Sequence, residues 1–122
     1  MNIRTFRDLV AWQKAKLLSK RVHQVTKSMP ADERFGLTTQ VRRASVSVFS
    51  NIAEGFGRGT PGDFHRGCGH ARGSLFELMG QLELSAELDY LQRPEDVSLL
   101  LEETDRVLQG LIKSIEERRE TK

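Results

Sequence analysis

The chain has 122 residues, 38% of them apolar and 30% charged, with a formal net charge of +2. That length suits one domain with a real core, and that balance excludes a disordered chain and one built of membrane spans. The single cysteine, Cys68, excludes an intramolecular disulfide. It lies at an apolar helix position and reads as a buried thiol rather than a nucleophile.

Strand-like alternation persists nowhere, whereas four segments repeat with a helical period. The first spans about residues 8–28. Ala11, Ala15, Leu18, Val22, Val25 and Met29 step by four and three, which makes a seam for packing in a bundle. Asp8 supplies an acid at its N-terminus, and Met29-Pro30 ends it because the residue before proline avoids the helical region. Arg7, Lys14 and Arg21 recur every seven residues, with Lys16, Lys20 and Lys27 beside them and Asp8 as the lone acid. An ordinary solvated face mixes signs, so this one predicts phosphate contacts.

The second segment spans about 35–57 and closes on Gly55-Phe56-Gly57-Arg58-Gly59. At about 100° per residue, Gln40, Arg43, Ser47, Asn51, Glu54 and Arg58 fall in one arc of about 80°. Val41, Ala44, Val48, Ile52 and Gly55 fill the adjacent arc. Val46, Phe49, Ala53 and Phe56 line a third, predicted to pack on the fourth helix or on another subunit. A helix this apolar is buried, so its polar row needs specific partners. Gln40, Ser47, Asn51 and Glu54 are the candidate structural row. Arg7, Lys14, Arg21, Arg42, Arg43 and Arg58 are the candidates for nucleic-acid contacts.

The third segment, about 61–89, opens on Thr60-Pro61, a capping hydroxyl followed by proline at the first helical position. Its seam is Phe64, Cys68, Ala71, Leu75, Leu78 and Leu82. It also carries Gly62, Gly67, Gly69, Gly73 and Gly80. A helix-interior glycine costs up to about 1 kcal/mol relative to alanine. Close approach of the second helix at Ala44, Ser47 and Gly55 is the predicted compensation. The fourth segment, about 94–118, starts at Pro94-Glu95-Asp96 and packs through Val97, Leu101, Thr104, Leu108, Leu111 and Ile115. Connections this short make sequential helices antiparallel, which predicts a single-domain, all-α, up-down-up-down four-helix bundle over residues 1–122.

No catalytic set, metal site or cofactor is predicted. A di-iron bundle needs Glu-x-x-His, but Lys20, Gly62 and Gly67 precede His23, His65 and His70 by three. Convergence of Glu54, His70 and Glu77 on a lone metal or an acid-base pair is a third reading. Against it, Glu54 pairs with Arg43 or with another subunit's arginine, and His70 donates to a carbonyl. Residues 1–72 hold 13 Lys/Arg against 5 Asp/Glu, while residues 73–122 hold 6 against 12. Such polarity serves either nucleic-acid attraction or contact between the basic part of one subunit and the acidic part of the next. With no secretory segment and no apolar run of spanning length, a cytoplasmic protein without membrane contact is expected.

Several motifs occur in order along the chain. They are Phe6-x-x-Leu9-x-x-Trp12-x-x-Ala15, Pro30, Glu33-x-x-Gly36-Leu37, Gln40-x-x-Arg43-Ala44-x-x-Ser47, Asn51-Ile52-Ala53-Glu54-Gly55, Ala71-x-Gly73-Ser74-Leu75-x-Glu77-Leu78 and Leu88-x-Tyr90-Leu91. In these the chain resembles the bacterial four-helix bundle proteins encoded in 23S rRNA intervening sequences, the S23 family. Where that family tends to place a further acid after Glu77-Leu78, Met79-Gly80 stands here. The resemblance implies a homopentameric ring and a distant relation to the accessory proteins of diversity-generating retroelements. Those are basic pentameric barrels that bind nucleic acid and a reverse transcriptase. The expected partners are therefore other copies of the chain, RNA or DNA, and a reverse transcriptase. The function expected is a non-enzymatic oligomeric nucleic-acid-binding module, with a structural adaptor for a protein partner as the alternative.

Overall fold

The computed structural model describes residues 2–92 and 94–120, without the side chain of Glu120. Four helices carry the architecture: α1 (Val10–Val25), α2 (Leu37–Gly57), α3 (Pro61–Glu87) and α4 (Glu95–Glu120). No strand occurs among the described residues. Short 3-10 turns at Phe6–Asp8, Thr26–Ser28 and Ala31–Glu33 precede or follow α1.

The first helix starts two residues later than its sequence predicts, and the reason is local. The Asp8 carboxylate turns back to accept the Arg4 and Thr5 amides at 2.8 and 3.0 Å. Those bonds, Thr5 foremost, hold its pKa below the usual carboxylate value. The acid therefore caps the 3-10 turn, Leu9 is extended, and α1 follows. At its other end α1 passes into the Thr26–Ser28 turn, with Thr26 Oγ1 donating to Val22 O at 2.7 Å. The second helix begins at Leu37 rather than 35, where Glu33 Oε1 receives the Leu37 amide at 3.1 Å.

The α2–α3 turn is short because Gly59 adopts φ +84°, a conformation that suits glycine. Thr60 then caps α3 by accepting the Asp63 amide at 3.1 Å. The α3–α4 turn has the same form without a glycine: Asp89 takes φ 60°, and the Tyr90 amide bonds Ser85 O at 2.9 Å. Helix α3 thus stops at Glu87 rather than 89, and α4 runs two residues past the predicted 118. Residues 121 and 122 of the predicted tail lie outside the described residues.

Each helix packs on two others: α1 on α2 and α4, and α3 on α2 and α4. The cross-contacts run antiparallel. Ser19 meets Ser45 and Trp12 meets Phe49 between α1 and α2. Ser47 meets Ser74 between α2 and α3, and Lys14 and Arg21 meet Glu103 and Asp96 between α1 and α4. The predicted seams are the core. Leu18, Val22, Val41, Val48, Ile52, Leu75, Leu78, Leu82, Val97 and Leu108 are fully buried. Each such aliphatic side chain contributes roughly 1.5–3 kcal/mol by leaving water. The third arc of α2 goes elsewhere than to α4. Phe49 lies edge-on to Trp12 of α1 at 6.4 Å, and Phe56 edge-on to Phe64 of α3 at 5.5 Å. Val46 stays exposed.

Candidate functional site

The polar row of α2 finds its counterpart on α3, where Asp63, Arg66, His70, Ser74, Glu77 and Gln81 repeat in steps of three and four. Between the two helices lies a pocket of about 250 Å³. Asn51, Glu54 and Arg58 line it from α2, and Asp63, Arg66 and His70 from α3. Its floor is backbone. A methyl added at Gly67 would stand 2.6 Å from Asn51 O and 2.8 Å from Gly55 Cα. Only glycine permits that approach, so the close contact predicted for α3 is real at Gly67. Beside Gly69, Gly73 and Gly80 nothing lies within 4 Å, so the prediction fails there.

The side chains above this floor bond one another. Asn51 Nδ2 donates to Ser47 O and Ser47 Oγ, each at 2.8 Å, and Ser47 Oγ bonds Ser74 Oγ at 2.8 Å. Arg58 pairs with Glu54 at 2.9 Å, and Arg66 with Asp63 at 2.8 Å. The Glu54 hydrogen bond, helped by the charges of Glu54 and Asp63, raises the Arg58 pKa further. This corrects the expected pairing of Glu54 with Arg43. Gln40 is exposed at the far end of the row. Glu54 and His70 do line one pocket, but Glu77 is not part of its lining and instead accepts from Gln81 Nε2 at 3.3 Å. Among the described residues no three His, Cys, Asp or Glu side chains are grouped to hold a metal. Both serine hydroxyls bond each other, and burial pushes the Cys68 thiol up to about 12, so no activated nucleophile stands here.

The cations singled out on α1 are divided. Lys14 pairs with Glu103 of α4 at 2.9 Å, and Arg21 grips both oxygens of Asp96 at 2.6 and 3.2 Å. Hydrogen bonding to Lys14 and Arg21, more than the charge itself, holds Glu103 and Asp96 below their usual pKa values. Arg42 donates to Thr26 Oγ1 at 2.9 Å and to His23 O at 3.4 Å. Arg7 lies 4.5 Å above the Phe6 ring, and Lys16 5.2 Å above Trp12. Lys20, Lys27, Arg34 and Arg43 are exposed and enter no ion pair among the described residues. The acids of α4 were the missed partners. Asp96 and Glu103 are seven residues apart, as are Lys14 and Arg21, and that matched spacing on antiparallel helices was the available signal.

A second cavity, mostly apolar and about 860 Å³, opens at the end of the bundle where Ile3, Leu9, Phe56, Phe64, Leu111 and Ile115 meet.

With the four helices and the Asn51–Gly55 segment in place, the comparison with known families is decisive. The model of the 23S rRNA-intervening sequence protein family matches residues 7–113. The chain belongs to that family. A solved structure of the same fold is a protein of unknown function from the S23 ribosomal protein family of Bacteroides thetaiotaomicron VPI-5482. It is 23% identical over 85% of this chain and 96% of the other, with a TM-score of 0.76. No curated protein matches the chain. No helix among the described residues is long and apolar enough to cross a membrane.

Proposed function

We propose that this member of the family is a non-enzymatic cytoplasmic protein that assembles as a homopentameric ring and binds nucleic-acid phosphates. The carrying observation is the stretch between Asp8 and Asp32, which holds Lys14, Lys16, Lys20, Arg21 and Lys27 and not one acid. Among the described residues, acids of α4 pair with Lys14 and Arg21 of these five. Lys16, Lys20 and Lys27 remain, and Arg34 and Arg43 extend the same sign onto the start of α2. The phosphate surface is therefore narrower than the sequence alone suggests. Arg42 and Arg43 stay on it and Arg7 flanks it, whereas Lys14, Arg21 and Arg58 already hold carboxylates.

Binding through phosphates releases counterions, so affinity for both RNA and DNA falls steeply with salt. Fluorescence anisotropy against a salt series measures it. Lys27→Glu with Arg43→Glu is expected to weaken binding at least tenfold and to reduce the log-log slope by about 2. A flat salt series, or an unchanged slope in the variant, sinks this reading.

The adaptor reading, with a protein such as a reverse transcriptase as partner, is favoured by apolar side chains left in solvent. Phe35 is 85% exposed and Leu99 50%. Pull-down from host lysate, with and without nuclease, separates the two. A protein partner retained after nuclease treatment supports the adaptor.

A further inference from the structure

Among the described residues, two helix faces pack on no other helix of the protomer, although Arg72 of α3 lies 4.7 Å above the Phe76 ring at the edge of one of them. On α3, Gly69, Gly73, Phe76, Gly80, Glu83, Leu84 and Glu87 fall within an arc of about 100°, and every one is exposed. Phe76 is 49% exposed and Leu84 46%. Gly69, Gly73 and Gly80 meet nothing, so no neighbour in the protomer makes use of their missing side chains. On α1, Val10, Gln13, Leu17, Lys20 and Gln24 share an exposed arc of about 80°, with Lys16 beside it. Val10 is 42% exposed and Leu17 46%.

The two faces are opposite in charge and similar in length. Residues 73–92 hold Glu77, Glu83, Glu87 and Asp89 and no base. Residues 9–31 hold no acid, and with Lys14 and Arg21 paired to α4 their remaining bases are Lys16, Lys20 and Lys27. At about 1.5 Å per residue, Val10 and Leu17 stand roughly 10 Å apart along α1 and Phe76 and Leu84 roughly 12 Å apart along α3. The two faces cannot meet in one chain, because α1 and α3 each pack on α2 and α4 and so stand at opposite corners with their outer faces turned apart.

We infer that the α3 face of one copy receives the α1 face of the next, with Phe76 and Leu84 packing against Val10 and Leu17, and Glu83 and Glu87 facing Lys16 and Lys20. The glycines of α3 let the incoming helix approach closely, as Gly67 does for α2 inside the protomer. Joining two different faces makes a heterologous contact, and such contacts form rings when the rotation closes. The inference rests on the oligomeric part of the proposed function and assigns it a surface. It also removes Lys16 and Lys20 from the phosphate surface and leaves Lys27, Arg34 and Arg43 to it.

The test is molar mass by light scattering and sedimentation, with circular dichroism to check that each variant is folded. Glu83→Lys with Glu87→Lys is expected to convert the oligomer to smaller species, and so is Lys16→Glu with Lys20→Glu. All four changes in one chain restore complementarity and are expected to restore the wild-type mass. Gly73→Gln, at a site open within the protomer, is expected to keep the helical signal and lose the assembly. Variants that retain the wild-type mass, or a fourfold variant that stays dissociated, overturn this surface while leaving the oligomer standing. A wild-type protein that is monomeric at tens of micromolar overturns both. Salt-dependent nucleic-acid binding, measured separately, is unaffected by either result.

Discussion

Where α2 meets α3, backbone touches backbone at Gly55 and Gly67. Where α1 meets α4, the two outermost links are ion pairs, Lys14–Glu103 and Arg21–Asp96. Both seams join antiparallel neighbours over a buried aliphatic core, yet they answer to different variables. The first is steric and indifferent to pH or salt. The second is electrostatic, exposed, and screened by ions. A bundle built this way has one pair of helices locked by shape and a fourth helix whose hold can be tuned by solution conditions.

The steric half of that contrast is open to the largest perturbation. Gly67→Ala forces a methyl to 2.6 Å from Asn51 O and 2.8 Å from Gly55 Cα, both backbone atoms that cannot rotate away. Overpacking of this kind costs about 2–3 kcal/mol, read as a drop in unfolding free energy from urea melts. It should also deform the pocket above, since Asn51 and Glu54 line it from the same turns. Gly110 of α4 gives the opposite sign. It is exposed and has nothing within 4 Å, so Gly110→Ala should stabilise by about 0.5–1 kcal/mol through helix propensity alone. If both substitutions shift stability in the same direction, the distinction between a packed glycine and an idle one is wrong.

An intermediate effect is expected inside α4. Thr104 is fully buried in the core, and its Oγ1 has no hydrogen-bond partner. Thr104→Val keeps the shape and removes an unsatisfied hydroxyl, which should raise stability by about 1 kcal/mol. A destabilised Thr104→Val protein would mean that the hydroxyl is satisfied after all.

What the sequence disclosed of these seams follows from their physics. The aliphatic seams and the polar row of α2 were legible because a helix repeats every 3.6 residues, and burial writes that period directly into residue choice. Asn51 bonds Ser47, and Ser47 bonds Ser74 across to α3. The Gly67 contact was legible as a cost needing compensation. Which of the five α3 glycines made it was not, because composition does not say which face meets a neighbour. The α1–α4 ion pairs were missed for another reason. Lys14 and Glu103 are 89 residues apart in sequence, and a charge inventory counts signs without assigning partners. Asp8 was misplaced because a carboxylate ahead of a helix can serve the preceding turn equally well.

The electrostatic half carries the smallest expected effect and the sharpest control. Asp96 and Glu103 have folded pKa values below their ordinary ones, chiefly through hydrogen bonds from Arg21 and Lys14. A depressed folded pKa means the folded state binds fewer protons than the unfolded chain. The resulting stabilisation is present in full above the unfolded carboxylate pKa values, near 4, and is lost as pH falls through the folded ones. Stability should therefore decline between about pH 5 and 3. The decline should be shallower in Asp96→Asn with Glu103→Gln, whose α1–α4 seam has no carboxylate left to protonate. Asp8, also depressed, is present in both proteins and cancels in the comparison. Urea rather than guanidinium is the suitable denaturant, because guanidinium salt would itself screen the pairs. If wild type and variant lose stability equally over that interval, the α1–α4 pairs contribute nothing to holding the fourth helix. The hold would then rest on buried side chains such as Val97, Leu101, Leu108 and Ile115 and on the links to α3, Arg72–Asp105 and His65–Glu116, and the two seams would differ in appearance only.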